Sequence, residues 1–181
     1  MDLLRKLGFV YTIGHSTREL AEFLELIGQH GIELVLDIRT IPRSRHVSHF
    51  NADSLERALH EHGIDYLHMK RLGGLRKPAK DSINKGWRNS SFRGFADYMQ
   101  TEEFRKGLID LLDLALKKKS VLMCAEAVPW RCHRSLISDV LLVRGVDVRH
   151  IISENSFRLH ELTPFAIVEG DRITYPEIID S

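Results

Sequence analysis

The sequence predicts an α/β protein: a mostly parallel sheet of about five strands with helices on both faces, plus a C-terminal β-hairpin. Three observations carry that reading. Short apolar runs alternate with stretches of helical period from Phe9 to Ile152. Gly31, Gly63 and Gly145 punctuate the ends of these units. The apolar runs are continuous rather than alternating, as parallel strands covered on both faces require.

The elements follow in order. Phe9–Ile13 reads as the first strand, and Leu20, Phe23, Leu24 and Ile27 stripe the first helix. Ser16 stands three residues before Glu19, the spacing of a capping box, which starts that helix near Ser16. Leu34–Ile38 is the second strand. Leu55–His62 is a short helix with Leu55, Ala58 and Leu59 inward, and Ile64–Leu67 is the third strand. Phe104, Leu108, Leu111, Leu112 and Ala115 mark a longer helix, followed by strand four at Val121–Cys124. Leu136, Ile137, Val140 and Leu141 stripe the helix Ser135–Val143, and Val146–Ile152 is strand five. Phe165–Val168 and Arg172–Tyr175, joined by Glu-Gly-Asp, read as the closing hairpin, inside an extension over 160–176. No repeat or linker divides the 181 residues, so a single domain is expected. Met69–Arg93, rich in Gly, Lys, Arg, Asn and Ser, reads as a long functional or mobile loop.

Composition narrows the class. Hydrophobic residues make up 43% and charged residues 28%, and the net charge is +1, so total charge names no partner. No apolar run reaches membrane-spanning length, and Met1–Gly8 carries Arg5 and Lys6 without the apolar core of a signal peptide. With two cysteines, the expected setting is a reducing cytoplasm with free thiols. The basic residues are nevertheless clustered. Ile38–Ala52 holds Arg39, Arg43, Arg45, His46 and His49 with no acid, and Tyr66–Ala96 holds eight Lys or Arg against Asp81 alone. Basic loops on a neutral body suggest a local anion site.

In parallel sheets ligands bind beyond the carboxyl ends of the strands. Here those ends are polar: Gly14, His15 and Ser16; Asp37 and Arg39; His68; Cys124 and Glu126; His150 and Ser153. The densest segment is Val121–Arg134, VLMCAEAVPWRCHR. Cys132, His133 and Arg134 open a helix there, and a helix start favours anions and thiolates. Candidate catalytic residues are therefore Cys132, His133, Glu126, Asp37 and His15. Candidate ligand contacts are Arg39, Arg43, Arg45, Arg93, Arg134, Ser16 and Cys124, with Arg134 the leading anion contact. Ser16 has a second reading as a helix cap, Cys124 as a buried small hydrophobe, and Asp37 with Arg39 as a structural pair. Trp87, Phe92, Phe95 and Tyr98 beside Arg76, Arg88 and Arg93 suit base stacking, or pack the long loop onto the body. A zinc site would draw on Cys124, Cys132, His133 and a distant His. The chain has no Cys-x-x-Cys pair, and adjacent Cys and His share one ion poorly, so no metal and no cofactor is assigned. A Cys124–Cys132 disulfide is geometrically open across the intervening loop.

The strings TIGHSTRELAEFLELI, LVLDIRTIPRSRH, YLHMKRLGGLR, SFRGFADYM and CAEAVPWRCHRSLISDVLLVRGVDVRHI, in that order from Tyr11 to about Ile152, resemble the family named "domain of unknown function 488". The resemblance implies a single α/β domain with these strings around one cleft, in stand-alone bacterial or archaeal proteins, and no assigned reaction. LVLDIR and VLMC…RSLISDVLLVRGV are also similar to parts of rhodanese-type sulfurtransferases. Those enzymes close a tight loop from cysteine to arginine, whereas Cys124 and Arg134 are ten residues apart with Pro129 and Cys132 between them.

Three functions compete. The first is a cleft for a phosphate-bearing ligand, nucleotide or nucleic acid, in a phosphate-ester hydrolase or transferase using Cys, His and Glu. The second is thiol chemistry of the sulfurtransferase kind through Cys132 or Cys124. The third is a non-catalytic module that binds an anionic ligand or nucleic acid.

Overall fold

The computed structural model describes residues 8–179, so the reading of Met1–Leu7 lies outside the described residues. The strands are β1 (Phe9–Gly14), β2 (Leu34–Asp37), β3 (Asp65–His68), β4 (Ser120–Cys124), β5 (Asp147–Ser153), β6 (Ser156–Leu159), β7 (Ile167–Glu169) and β8 (Arg172–Thr174). The α-helices are α1 (Leu20–Gln29), α2 (Ala52–Glu61), α3 (Ser90–Tyr98), α4 (Glu102–Lys117) and α5 (Arg134–Val143). Six strands form one sheet in the order β3-β2-β4-β1-β5-β6, and β7 and β8 form the separate hairpin. β1 to β5 run parallel, and β6 returns antiparallel to β5. The α/β class, the mostly parallel sheet and the hairpin are as the sequence predicts.

Each face has its own core. On one face α1 and α2 bury Phe23, Leu26, Ile27, Leu55 and Leu59 against Ile13, Val35, Val121 and Met123. On the other, α3, α4 and α5 bury Phe95, Leu108, Leu111, Leu136 and Leu141 against Val10, Leu36 and Leu122. Strand residues alternate between the faces, so Leu34–Leu36 of β2 and Val121–Cys124 of β4 are apolar on both sides. The helix ends are set locally. Thr101 caps α4 by accepting from Phe104 N, with Glu102 and Glu103 in the first turn where acids suit the dipole. Asn89 caps α3 by accepting from Ser91 N and Phe92 N.

Four details differ from the sequence reading. Ser16 is not a cap: α1 starts after Glu19 with no side-chain cap, and Ser16 sits in a left-handed turn at φ 50°. The turn is held by Ser16 N donating to Ala125 O and by His15 Nδ1 donating to Ser16 O. α3 and β6 were not expected. The stretch Met69–Arg93 is no free loop. Asp97 accepts from Ala79 N, Ser82 Oγ and Asn84 Nδ2, and Asn84 and Gly86 bond the backbone of Tyr175. Trp87 packs among Phe92, Phe165 and Tyr175, and Phe95 is fully buried. Trp87 and Tyr98 are half-buried against the core, as the packing reading expects, while half-buried Phe92 also lines the cleft. Among the described residues no helix is long and apolar enough to cross a membrane.

Candidate active site

The chain leaves β1 toward β2 on one side of the sheet and leaves β4 toward β5 on the other, while β1 and β4 are neighbours. Their carboxyl ends therefore diverge, and the sheet opens a crevice there. Gly14 pairs with Cys124 at this point. A Cβ on Gly14 would lie 1.7 Å from Glu126 O, so only glycine lets the Ala125–Ala127 turn fold over β1. The resulting cleft encloses about 730 Å³, a volume suited to a small molecule.

One wall, at Arg39 and His15, is backed by a charge cluster. Arg39 forks onto Asp37, with Nε to Oδ1 at 2.9 Å and Nη2 to Oδ2 at 2.6 Å, and Nη2 also donates to Phe50 O. Tyr66 donates its hydroxyl to the same Oδ2 at 2.6 Å. Burial and the Asp37 carboxylate push the Tyr66 phenol well up, so it stays a donor. His15 stacks on Phe50 with ring centroids 4.4 Å apart. Its Nδ1–H serves Ser16 O, so Nε2 accepts from Arg39 Nη1 at 3.3 Å. Burial, with the neighbouring Arg39 charge, lowers the His15 pKa to about 4. The ring is thus neutral at physiological pH.

The floor is sulfur. Cys132 Sγ and Cys124 Sγ lie 2.8 Å apart, both free thiols and both buried. His133 Nε2 faces two carbonyls, Ile38 O and Leu72 O, each at 2.9 Å, which fixes its proton on Nε2. Its Nδ1 then faces Cys132 Sγ at 3.6 Å, ready to take the thiol proton. Arg134 N, in the first turn of α5, donates to Cys132 Sγ at 3.4 Å. Burial opposes a thiolate at Cys132. The Cys124 S–H, His133 and Arg134 outweigh it and hold Cys132 well below the ordinary thiol range. Burial pushes Cys124 well above that range, and its bond to Cys132 adds to this, so the proton stays on Cys124.

Arg134 lies under the cleft rather than in its wall. Its side chain is 1% exposed, with Nη2 on Glu126 O at 2.9 Å, Nη1 on Thr12 Oγ1 at 3.3 Å and Nε without a partner. Among the described residues no carboxylate pairs with it. So placed, Arg134 does not reach an external anion in the cleft as the sequence suggests: its side chain braces the Glu126 turn from below, and its charge favours thiolates at the two sulfurs. Arg39 reaches the cleft but spends its fork on Asp37. Arg93 is half-buried, bonds Trp87 O and lies outside the cleft. Arg45 is exposed but outside the wall, whereas Arg43, Arg131 and His46 are exposed on the rim. Glu126 and Ser16 also line the cleft. Of the strand-end residues, His68 bonds Arg39 O from outside the cleft. Sequence reasoning missed Phe50, Tyr66 and Gly74.

His150 belongs to a second system. Thr12 Oγ1 bonds His150 Nδ1 at 2.6 Å, His150 Nε2 bonds His160 Nδ1 at 3.0 Å, and His160 Nε2 bonds Asp139 Oδ1 at 2.7 Å. Tyr175 donates to Asp139 Oδ2 at 2.8 Å. With Arg134 donating to Thr12, a single direction of donation runs from Arg134 to Thr12 to His150 to His160 to Asp139. Burial, then the positive surroundings, lowers the His150 pKa to about 3. Among the described residues no three His, Cys, Asp or Glu side chains are placed to hold a metal ion.

Fold and site define a doubly wound α/β protein with a two-cysteine cleft at its switch point. The family described as "Domain of unknown function DUF488" matches residues 19–141, about two thirds of the chain. The chain belongs to that family. No curated protein and no solved structure matches it significantly.

Proposed function

We propose that this protein is a thiol-dependent enzyme in which Cys132 is the nucleophile, acting on a small anionic molecule in the cleft between β1 and β4. The observation that carries this reading is the buried Arg134 guanidinium. It has no carboxylate partner among the described residues and bears on two sulfurs that touch. A buried cation without a counter-charge is strongly destabilising, and a thiolate at Cys132 supplies the missing charge. His133 Nδ1 takes the thiol proton, and its Nε2, bonded to Ile38 O and Leu72 O, keeps the ring in that orientation. Arg39 and His15 form the wall opposite, held rigid from behind by Asp37 and Tyr66. Arg43, Arg131 and His46 favour an oxyanion at the mouth, and Glu126 is the one acid that lines the cleft. Free thiols in this role suit a reducing compartment such as the cytoplasm, with residues 1–181 acting as one unit.

A second reading, a phosphate-bearing ligand with hydrolase or transferase chemistry, rests on the same exposed rim cations. It is weakened because Arg39, Arg93 and Arg134 are engaged internally. The deciding experiment is alkylation of the reduced protein with iodoacetate between pH 5 and 9, read by peptide mass. Cys132 should be carboxymethylated well below pH 8, with Cys124 unreacted. Two thiols that react only at high pH, together with a thermal shift from phosphate that Arg43→Ala and Arg131→Ala abolish, would favour the second reading instead.

A further inference from the structure

Resting on the thiol reading, we infer that Cys124 is a resolving cysteine and that the protein is a thiol–disulfide oxidoreductase for small disulfides bearing anionic groups. Activation tells the two thiols apart. Both sulfurs are buried and both line the cleft, but only Cys132 Sγ faces a base, His133 Nδ1, and accepts from Arg134 N. Cys124 is the last residue of β4, its backbone is fixed by pairing with Gly14 and by His15 N, and its S–H faces Glu126 O, so it is not the thiol that attacks first. Yet its sulfur is 2.8 Å from Cys132 Sγ, about 0.8 Å beyond a disulfide bond. Cys132 follows the Pro129–Arg131 3₁₀ turn, so a small shift of that turn closes the distance.

The second thiol also decides the reaction class. An enzyme that stores sulfur as a persulfide on Cys132 would lose it at once, because Cys124 would attack Cys132 Sγ and expel sulfide. A disulfide substrate turns the same geometry to use. The Cys132 thiolate attacks one sulfur of R–S–S–R, forming Cys132–S–S–R and releasing the first thiolate, which takes the Cys124 proton. Cys124 then attacks Cys132 Sγ, breaking its bond to the substrate sulfur and releasing the second thiolate. Two protein thiols and one disulfide become one protein disulfide and two small thiols, and an external dithiol restores the start. The cleft argues for charge on the substrate: Arg43, His46 and Arg131 are exposed around it, against the single acid Glu126.

The test uses the reduced full-length protein with one equivalent of oxidised glutathione, an anionic disulfide, or of cystamine, a cationic one. With oxidised glutathione, the wild type should release two equivalents of glutathione and show a Cys124–Cys132 disulfide by peptide mass. Cys124→Ser should stop at a mixed disulfide on Cys132 after one equivalent. Cystamine should react on the order of tenfold more slowly, a preference that Arg43→Gln combined with Arg131→Gln removes. A wild type that stops at the mixed disulfide overturns the inference and leaves Cys132 as nucleophile. Equal rates with the two disulfides overturn the anionic substrate. A Cys132 that resists both disulfides but is alkylated by iodoacetate overturns the oxidoreductase class alone. A Cys132 that resists iodoacetate as well removes the thiol reading on which all this rests.

Discussion

Lowering the pH from 8 to 5 should unfold this protein more easily through two buried histidines. Each ring has a fixed tautomer. His15 gives Nδ1–H to Ser16 O and accepts from Arg39, so a second proton would face the guanidinium N–H. His150 accepts from Thr12 and donates to His160, so a second proton would face the hydroxyl. Their pKa values in the folded chain are therefore lowered from the ordinary 6.5, to about 4 and about 3. The unfolded chain binds these protons more readily, so stability is full above pH 6.5 and falls as the pH drops below it. The His15 contribution stops falling near pH 4 and that of His150 near pH 3. At pH 5 each should have removed about 2 kcal/mol, about 4 kcal/mol together, a large share of a typical domain's stability. Urea unfolding at 25 °C under reducing conditions, at half-unit steps, measures the slope. Side-chain NMR of the two rings separates their contributions. A flat stability curve from pH 7 to 5, or either ring titrating near 6.5 in the folded protein, would refute the reasoning.

Three further perturbations test the site. Gly14→Ala must displace the Ala125–Ala127 turn, because its Cβ falls 1.7 Å from Glu126 O. About 2–4 kcal/mol of stability should go, together with fast Cys132 alkylation, and an unchanged Tm would contradict the packing. Gly74→Ala places a Cβ 2.4 Å from His133 Nδ1 and should turn that ring aside. Alkylation of Cys132 at pH 7 should slow about tenfold or more, with a smaller Tm loss than Gly14→Ala. Asp139→Asn replaces a carboxylate that accepts from His160, Thr163 N and Tyr175 with an amide that cannot accept on both arms. A loss of about 2–3 kcal/mol by urea unfolding is expected, and Tyr175→Phe in the same background should add little, since both remove one bond.

Much of the frame was legible because local and global preferences agree. β2 and β4 are apolar on both sides since both faces are covered, and Leu108, Leu111 and Leu112 stripe α4 at the period that the sheet needs. What escaped the sequence was set by distant partners. Gly94 and the polar start of SSFRGFADY disguise α3, yet a Cβ there would meet Arg76 O at 2.3 Å, so the glycine belongs to the packing of the preceding segment. β6 is four exposed residues whose alternation, SFRL, is too short to stand out, and it exists because β5 offers an edge. Ser16 matches a capping rule, but its backbone turns left-handed to bring His15 over Phe50.

Arg134 shows where local reasoning about a site fails and what replaces it. An arginine in the first turn of a helix, after Cys-His, reads as a hand held out to an external anion. Whether it reaches outward depends on what lies above it, and here Gly14 admits the Glu126 turn, whose carbonyl draws the guanidinium inward. Burying it leaves its charge without a carboxylate among the described residues, and the start of α5 still favours a negative group. On the thiol reading both demands are met by one atom of the chain itself, Cys132 Sγ, which the backbone N–H of Arg134 reaches at 3.4 Å and which the guanidinium charge favours as a thiolate. The anion that the helix start suggested is then supplied by the protein rather than by the ligand. The rim cations Arg43 and Arg131, which looked secondary in sequence, are left to choose what comes to meet it.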